Sequence, residues 1–187
     1  MKWFRSLVEE VGPVTVFGLA NFFYTFEVAV IAMVSTLLFI TATTIFTRRG
    51  WPWFAIISTA GLVLFAGLSF WFDDFSFFTA SDTILDGILG ITILWSLRWD
   101  KPLVQRLFER TFAITNEAWC ILTWRWGILF IVLALLNEVV RTNVSNEVWA
   151  YFKVGATIFI LLFGCYQFFL SMKMRLPKES NRFGLRI

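Results

Sequence analysis

The chain has 187 residues, of which 58% are hydrophobic, 19% are aromatic and only 16% are charged, and its formal net charge is +3. A soluble domain carries about 25% charged residues, and a chain of this size buries too little surface to hide 23 Phe and 10 Trp from water. This composition argues against a soluble globular enzyme, a disordered linker and a nucleic-acid-binding module. It predicts an integral membrane protein.

The sequence contains no histidine. It therefore offers no histidine ligand for haem or zinc and no Ser–His or Cys–His nucleophile pair. Cys120 and Cys165 lie in apolar stretches without CxxC spacing, a setting typical of structural rather than reactive thiols. The sequence has no P-loop, dinucleotide-binding or metal-ligand motif, so we predict neither enzyme activity nor a cofactor.

Residues 1–27 predict a short helix that does not cross the membrane in full. Residues 11–26 are free of charge but include Gly12, Pro13 and Asn21, and Glu27 follows directly. A re-entrant half-helix that folds back at Asn21–Glu27 fits this pattern. An interfacial helix that continues into the first span fits it equally.

About five further stretches are long and apolar enough to cross a bilayer core, which takes about 20 residues of helix. They are Val28–Thr47, Gly50–Phe72, Thr83–Leu97, Ala118–Val140 and Trp149–Met172. The chain is thus predicted to be an all-α, polytopic membrane protein that forms a single membrane domain over residues 1–187.

Lys and Arg are concentrated in three segments outside the spans, and short segments of this kind face the cytoplasm. The three are Arg48–Arg49, Arg98–Arg110 and the tail Lys173–Ile187, whereas the connection Asp73–Asp82 is acidic. With five spans all three basic segments lie on one face, which places the C-terminus in the cytoplasm. A re-entrant first segment keeps the N-terminus on the same side, whereas five full spans alone place it outside. We expect the short tail to be disordered.

Tryptophan residues lie near the predicted span ends, at the depth of the lipid headgroups that indole rings prefer. Those near the inner ends are Trp51, Trp53, Trp95, Trp99, Trp119, Trp124 and Trp126, and those near the outer ends are Trp71 and Trp149. We interpret both sets as aromatic belts.

The segment Asp100–Ile114 predicts an amphipathic helix on the cytoplasmic surface, with Asp100 as its N-cap. Its apolar residues share one helical face, while Lys101, Arg106 and Arg110 lie towards the other. These three cations are candidate contacts for anionic lipid headgroups. An ordinary solvated connector remains the alternative.

Ionisable residues within membrane spans are functional candidates, because each is costly in lipid unless it is paired or hydrated. Here they are Glu27, Asp86, Arg125, Glu138 and Lys153. Glu138 and Lys153 flank a short connection and are able to pair, with Asp86 close enough to join them. A structural polar cluster at the outer ends of three helices fits this pattern better than a proton or ion relay, which needs acids near the middle of the membrane.

Three stretches of the fourth and fifth spans resemble the bacterial YciB family, also called intracellular septation protein A. They read LTWRWGILF at Leu122–Phe130, ALLNEVVR at Ala134–Arg141 and WAYFKVG at Trp149–Gly155. Weaker agreement extends over most of the chain. The matching residues Arg125, Asn137, Glu138 and Lys153 include three of the polar candidates that were chosen by position.

One stretch departs from the family. After the acidic connection the family usually carries Lys-x-Lys-Pro-Thr, whereas this chain reads Thr79-Ala-Ser-Asp-Thr83. Two bases are lost and an acid is gained, so the departure is a candidate site for an altered partner.

The resemblance implies a non-enzymatic inner-membrane protein of septation and envelope maintenance. Its implied partners are membrane lipids and other inner-membrane proteins, such as division or envelope machinery, and no nucleic acid. Two alternatives remain, namely an accessory structural subunit of a larger respiratory or photosynthetic complex and a small transporter.

Overall fold

The computed structural model describes the backbone of residues 2–47 and 53–186, and the side chains of residues 11–47 and 56–186. These ranges contain seven α-helices and one 3-10 turn, Ser96–Arg98, which follows the fourth helix. The helices are α1 (Lys2–Phe23), α2 (Phe26–Thr47), α3 (Trp53–Phe72), α4 (Ser76–Trp95), α5 (Leu103–Phe108), α6 (Asn116–Asn143) and α7 (Asn146–Lys173). The all-α prediction is confirmed.

Four of the described helices are long and apolar enough to cross a membrane, and the chain is a polytopic membrane protein. They are α2, α4 together with its 3-10 turn, α6 and α7. Shorter apolar stretches lie in α1 (Val11–Phe23) and α3 (Ile56–Phe72). The predicted features at Arg48, Arg49, Gly50 and Trp51, and the side chain of Trp53, lie outside the described residues.

The helix α4 begins at Ser76, ahead of the predicted span that starts at Thr83. Its first amide groups are capped from outside the helix. The Ser76 N–H donates to Asp74 Oδ1 over 2.8 Å, and the Phe78 N–H donates to Ser69 Oγ of α3 over 2.8 Å. These caps satisfy amides that a helix start leaves without partners, so polar residues extend α4 beyond its apolar stretch.

The chain divides into two compact units, which are described separately. The first comprises Met1–Leu85 and Leu136–Thr157, and the second comprises Asp86–Leu135 and Ile158–Ile187. Helices α4, α6 and α7 each contribute residues to both units.

The first unit is built around four aromatic rings. The Trp149 ring centroid lies 6.1 Å from that of Phe17, 6.1 Å from that of Phe26 and 5.9 Å from that of Phe78, mostly in edge-to-face geometry. Such pairs favour the attraction between ring edge and ring face. Trp149 is completely buried, so its assignment to an outer aromatic belt is wrong; Trp119 is likewise buried in the core of the second unit.

Three connections meet at one end of the first unit. The α1–α2 turn at Tyr24–Thr25 is tied to the start of α7, since Asn21 Nδ2 donates to the Glu147 carbonyl over 3.2 Å. The Phe26 and Phe75 rings, 5.4 Å apart, bring the α3–α4 connection to the same place. The chain therefore folds back within the predicted segment Asn21–Glu27, and α1 and α2 form an antiparallel helical hairpin.

The prediction of one helix over Asp100–Ile114 is wrong. The helix α5 covers only Leu103–Phe108 and is preceded by Pro102 rather than capped by Asp100. The residues that follow pair with the C-terminal tail, because the Ala113 N–H donates to the Gly184 carbonyl and the Ala113 carbonyl accepts from the Leu176 N–H, both over 2.9 Å. Backbone groups bonded to the tail are not available to continue a helix.

The same pairing corrects the expectation of a disordered tail. Residue 112 forms an antiparallel bridge with Leu185, and residue 114 forms another with Arg175. The tail thus lies on both sides of the segment 111–115, an arrangement that we call the tail clasp. Gly184 adopts a φ of +78°, and a Cβ at this position would lie 2.8 Å from the Ser171 carbonyl oxygen. The tight approach therefore requires glycine.

Candidate functional site

Three polar residues of the family-like stretches, Asn137, Glu138 and Lys153, lie in the first unit, where Asn137 is the central residue. Its side chain is 2% exposed. Nδ2 donates to the Thr79 carbonyl over 2.8 Å and to Thr83 Oγ1 over 2.9 Å, and Oδ1 accepts from Trp149 Nε1 over 2.7 Å. Because the indole nitrogen only donates, these partners fix the orientation of the amide. One side chain of α6 thereby binds both α4 and α7.

Glu138 extends this network on the same turn of α6. Its carboxylate accepts two hydrogen bonds from Arg141, Nε over 2.7 Å and Nη2 over 2.6 Å, and a third from Thr83 Oγ1 over 3.1 Å. The Thr83 hydroxyl therefore accepts from Asn137 and donates to Glu138. A bidentate arginine–carboxylate pair is among the strongest charge-assisted contacts.

Lys153 of α7 forms an ion pair with Asp82 of α4. The lysine is 9% exposed and its Nζ lies 5.3 Å from the centroid of the Trp149 ring. A cation near the face of an indole ring is attracted by its negative π-face, so Trp149 joins this pair to the Asn137 network. We call the whole arrangement the α4–α6–α7 polar cluster; it comprises Thr79, Asp82, Thr83, Asn137, Glu138, Arg141, Trp149 and Lys153.

Of the polar candidates predicted from the sequence, only Asn137, Glu138 and Lys153 belong to the α4–α6–α7 polar cluster. The suggested pairing of Glu138 with Lys153 is wrong, because Glu138 binds Arg141 and Lys153 binds Asp82. Asp86 and Arg125 belong to the second unit. Arg125 is held by α7, where its Nη1 donates to Gln167 Oε1 over 3.1 Å and its guanidinium lies 5.6 Å from the Tyr166 ring centroid.

The sequence analysis identified the α4 residues Thr79–Thr83 only as a departure from the family and not as part of a polar cluster. Thr79, Asp82 and Thr83 are spaced i, i+3 and i+4, which places them on one helical face. The predicted span began at Thr83, so Thr79 and Asp82 were placed outside the helix, whereas α4 begins at Ser76 and includes both. Thr79 and Ser81 are buried, at 2% and 0% exposure, so these two residues of the departing stretch line the interior of the unit and do not form an outward surface for a partner.

Two of the three predicted headgroup contacts, Lys101 and Arg110, lie together in the second unit, beside the tail clasp. Lys101, Glu109, Arg110 and Arg186 line an open polar depression of about 420 Å³, which we call the tail pocket. Arg106 does not line it, because its Nε donates to the Lys101 carbonyl over 3.0 Å and its guanidinium lies 4.9 Å from the Trp99 ring centroid. Arg186 is the lining residue that the sequence did not indicate.

Lys101 Nζ donates to Glu109 Oε2 over 2.8 Å. This hydrogen bond, and the positive charges of Lys101, Arg186 and Arg110, hold the pKa of Glu109 below its ordinary value of 4.5. The carboxylate is therefore ionised at neutral pH and partly offsets the positive charge of the pocket.

The architecture defines a class of protein: a polytopic helical membrane protein in which the residues of the α4–α6–α7 polar cluster join three helices to each other. Comparison with known proteins identifies the family. The profile of the family "Intracellular septation protein A" matches residues 5–178, and the chain belongs to that family.

Curated relatives match over nearly the whole chain. An inner membrane-spanning protein YciB of Rhizobium meliloti is 32% identical, with 94% of this chain and 91% of the relative covered. The protein of the same name from Sinorhizobium medicae is 32% identical, with 95% and 92% covered, and that from Brucella suis is 31% identical, with 94% and 96% covered. No solved structure matches the chain. The family resemblance and the inner-membrane assignment are thus confirmed.

Proposed function

We propose that this chain is a non-enzymatic inner-membrane protein of septation and envelope maintenance, which acts through contacts with proteins and lipids in the plane of the membrane. The observation that carries the proposal is the use of the family-like polar residues in the α4–α6–α7 polar cluster. Asn137, Glu138 and Lys153 are bonded to neighbouring helices. This arrangement favours a structural role over a proton or ion relay, and leaves the outer surface of the helices for interaction.

The outer surface supports contacts within the membrane. Large apolar side chains of α7 are more than half exposed, among them Phe159, Leu162 and Phe169. In a membrane such a face meets lipid tails or the helix of another protein. Membrane lipids and other inner-membrane proteins are therefore the proposed partners.

The proposed topology has five spans, formed by α2, α3, α4, α6 and α7, with the C-terminus in the cytoplasm. The tail clasp supports one part of it, since it brings the basic connection before α6 to the same side as the tail. The helix α1 has 22 residues and a length of about 33 Å at 1.5 Å per residue. Because α1 is antiparallel to α2, a helix of this length reaches back to the cytoplasmic side as a sixth crossing beside the five predicted spans, which favours an N-terminus in the cytoplasm.

A deletion strain tests the proposed role. Loss of the gene is expected to weaken envelope integrity and change cell length under osmotic stress, and the wild-type chain is expected to restore both. Asn137→Ala should fail to restore them, whereas Asn143→Ala, which changes an exposed amide bonded only to residues of its own helix, should succeed. Normal envelope and cell length in the deletion strain would contradict the proposal.

Purification of the tagged chain in a mild detergent tests how it acts. Substoichiometric division or envelope proteins, or lipid alone, are expected. Fixed-ratio co-migration with a single respiratory or photosynthetic complex would instead establish the chain as an accessory subunit and would overturn the proposed role.

A further inference from the structure

The tail pocket is assembled by residues that are distant in sequence. The Arg186 N–H donates to the Thr111 carbonyl over 2.9 Å, and this backbone bond of the tail clasp brings Arg186 next to Arg110. Lys101, which lies just before α5, lines the same depression. Three cations therefore line one depression only while the clasp is closed.

The charges of the pocket are not fully balanced. Lys101 pairs with Glu109 over 2.8 Å, and Arg186 Nη1 lies 3.5 Å from Glu179 Oε2. Among the described residues, the Arg110 side chain forms no hydrogen bond or ion pair, and its charge acts on the nearby Glu109 carboxylate without direct contact. Three cations against two carboxylates leave one net positive charge, which matches the single negative charge of a phosphodiester.

Two arginine–tryptophan pairs lie at the end of α4 and in the connection that also carries Lys101 and Arg110, and they have the chemistry of a membrane surface. The Arg98 guanidinium lies 4.3 Å from the Trp95 ring centroid, and Arg106 lies 4.9 Å from that of Trp99. Indole rings prefer the depth of the lipid headgroups, where the ring is in an apolar environment and the N–H group is hydrated. An arginine side chain at a membrane surface presents a planar pair of donors that binds phosphate oxygens.

We propose that the tail pocket binds one phosphate group, with Arg110 as its main donor and Arg186 as the second. The group belongs either to the headgroup of an anionic phospholipid or to a soluble phosphate ester. This inference deepens the lipid-contact part of the proposed function and rests on it for the membrane setting.

Native mass spectrometry of the full-length chain tests the proposal. The chain is released from micelles that contain equal amounts of phosphatidylglycerol and phosphatidylcholine, and the retained lipids are identified. A parallel experiment follows inorganic phosphate by the broadening of its ³¹P NMR signal as chain is added. Arg110→Gln and Arg186→Gln remove pocket cations, and Arg182→Gln is the matched control, because Arg182 belongs to the same tail but does not line the pocket. Melting temperatures establish that the variants are folded.

We expect the wild-type chain to retain one phosphatidylglycerol. Retention should be about tenfold weaker in the two pocket variants, since a hydrogen-bonded ionic contact contributes about a factor of ten or more. It should be unchanged in the control. Broadening of the phosphate signal without lipid retention, with the same variant pattern, would support the site and assign it to a soluble ester. Equal losses in all three variants, or equal retention of both lipids, would overturn it.

The pocket and the proposed function can fail separately. If the wild-type chain binds neither lipid nor phosphate selectively but restores envelope integrity in the deletion strain, the pocket proposal is wrong and the proposed function stands. If the deletion strain has no phenotype but the pocket variants lose phosphatidylglycerol selectively, the pocket stands and the proposed function is wrong.

Discussion

At the scale of single residues, Asn137 joins three helices through one side chain. All of the hydrogen bonds of its side chain run to other helices. Its Oδ1 accepts from the Trp149 indole N–H, a group that can only donate. In lipid a polar group that loses such a partner has no water to replace it. The amide therefore both stabilises the first unit and fixes which faces of α4, α6 and α7 meet.

Replacing Asn137 by Ala is expected to lower the free energy of unfolding by about 2–4 kcal/mol. Each interhelical hydrogen bond in a membrane contributes roughly 0.6–1.7 kcal/mol, and the Trp149 N–H is left buried without an acceptor. Unfolding in mixed micelles measures the change. Asn143→Ala is the matched control and should alter stability by less than about 0.5 kcal/mol, as exposed substitutions do; a similar loss in both variants would show that the contacts of Asn137 add nothing specific.

The Asp82–Lys153 pair gives a second prediction at this scale. Lys153→Met leaves the Asp82 carboxylate without its cation, and Asp82→Asn leaves the Lys153 ammonium without its anion. The double variant contains no unpaired charge at this site. We expect the double variant to be more stable than the sum of the single losses predicts, by about 1–3 kcal/mol. A double-mutant cycle of unfolding free energies measures this coupling. Strict additivity would mean that the two charges do not interact in the membrane.

At the scale of elements, the tail clasp replaces what the sequence indicates to be a longer helix. The segment 111–115 exchanges backbone hydrogen bonds with residues 174–176 and 184–186. The clasp closes because the chain turns at Gly184, which tolerates a positive φ and leaves room for the Ser171 carbonyl. A single residue without a side chain thus determines the conformation of two segments.

Gly184→Ala is expected to open the clasp. A non-glycine residue in the left-handed region costs roughly 1–3 kcal/mol, and the added Cβ would also collide with the Ser171 carbonyl. Amide hydrogen exchange at Ala113, Thr115 and Leu176 should accelerate by about tenfold or more. Gly155→Ala, where a Cβ meets nothing within 4 Å, is the control and should leave these amides unchanged. Unaltered exchange in Gly184→Ala would show that the turn does not hold the clasp.

At the scale of the whole molecule, the charges of the connections predict which segments face each side of the membrane. The acidic connection at Asp73–Asp74 belongs to the end where the α1–α2 turn and the start of α7 also lie. The basic tail and the segment before α6 are joined by the clasp. Because cytoplasmic segments are rich in Lys and Arg, the clasp is expected inside and the acidic connection outside.

Thiol labelling of intact cells checks this orientation. The exposed Cys120 and Cys165 are first replaced by Ser. In that background Asp74→Cys should react with a membrane-impermeant maleimide from outside, whereas Lys178→Cys should react only after permeabilisation. Lys2→Cys should behave like Lys178→Cys if the N-terminus is cytoplasmic. The reverse pattern at Asp74 and Lys178 would invert the proposed topology.

The sequence by itself determined the class of the protein, most of its helices and its family. Hydropathy and helical period are properties of neighbouring residues, so they can be read without knowledge of the fold. The fold-back near Asn21 was predictable for the same reason, because polar and charged residues interrupt an apolar run. The polar candidates Asn137, Glu138 and Lys153 were also identified, but not their partners.

Only the tertiary structure decided which residues meet. Asp82 and Lys153 are 71 positions apart, and no local pattern states that they pair. Trp149 has the position of a headgroup residue but is buried, because three Phe rings and the Asn137 amide provide a better environment than the membrane surface. The tail has the composition of a disordered segment, yet its backbone finds partners in residues 111–115. Long-range contacts decide such cases, because they satisfy polar groups and bury rings that the local sequence leaves without partners.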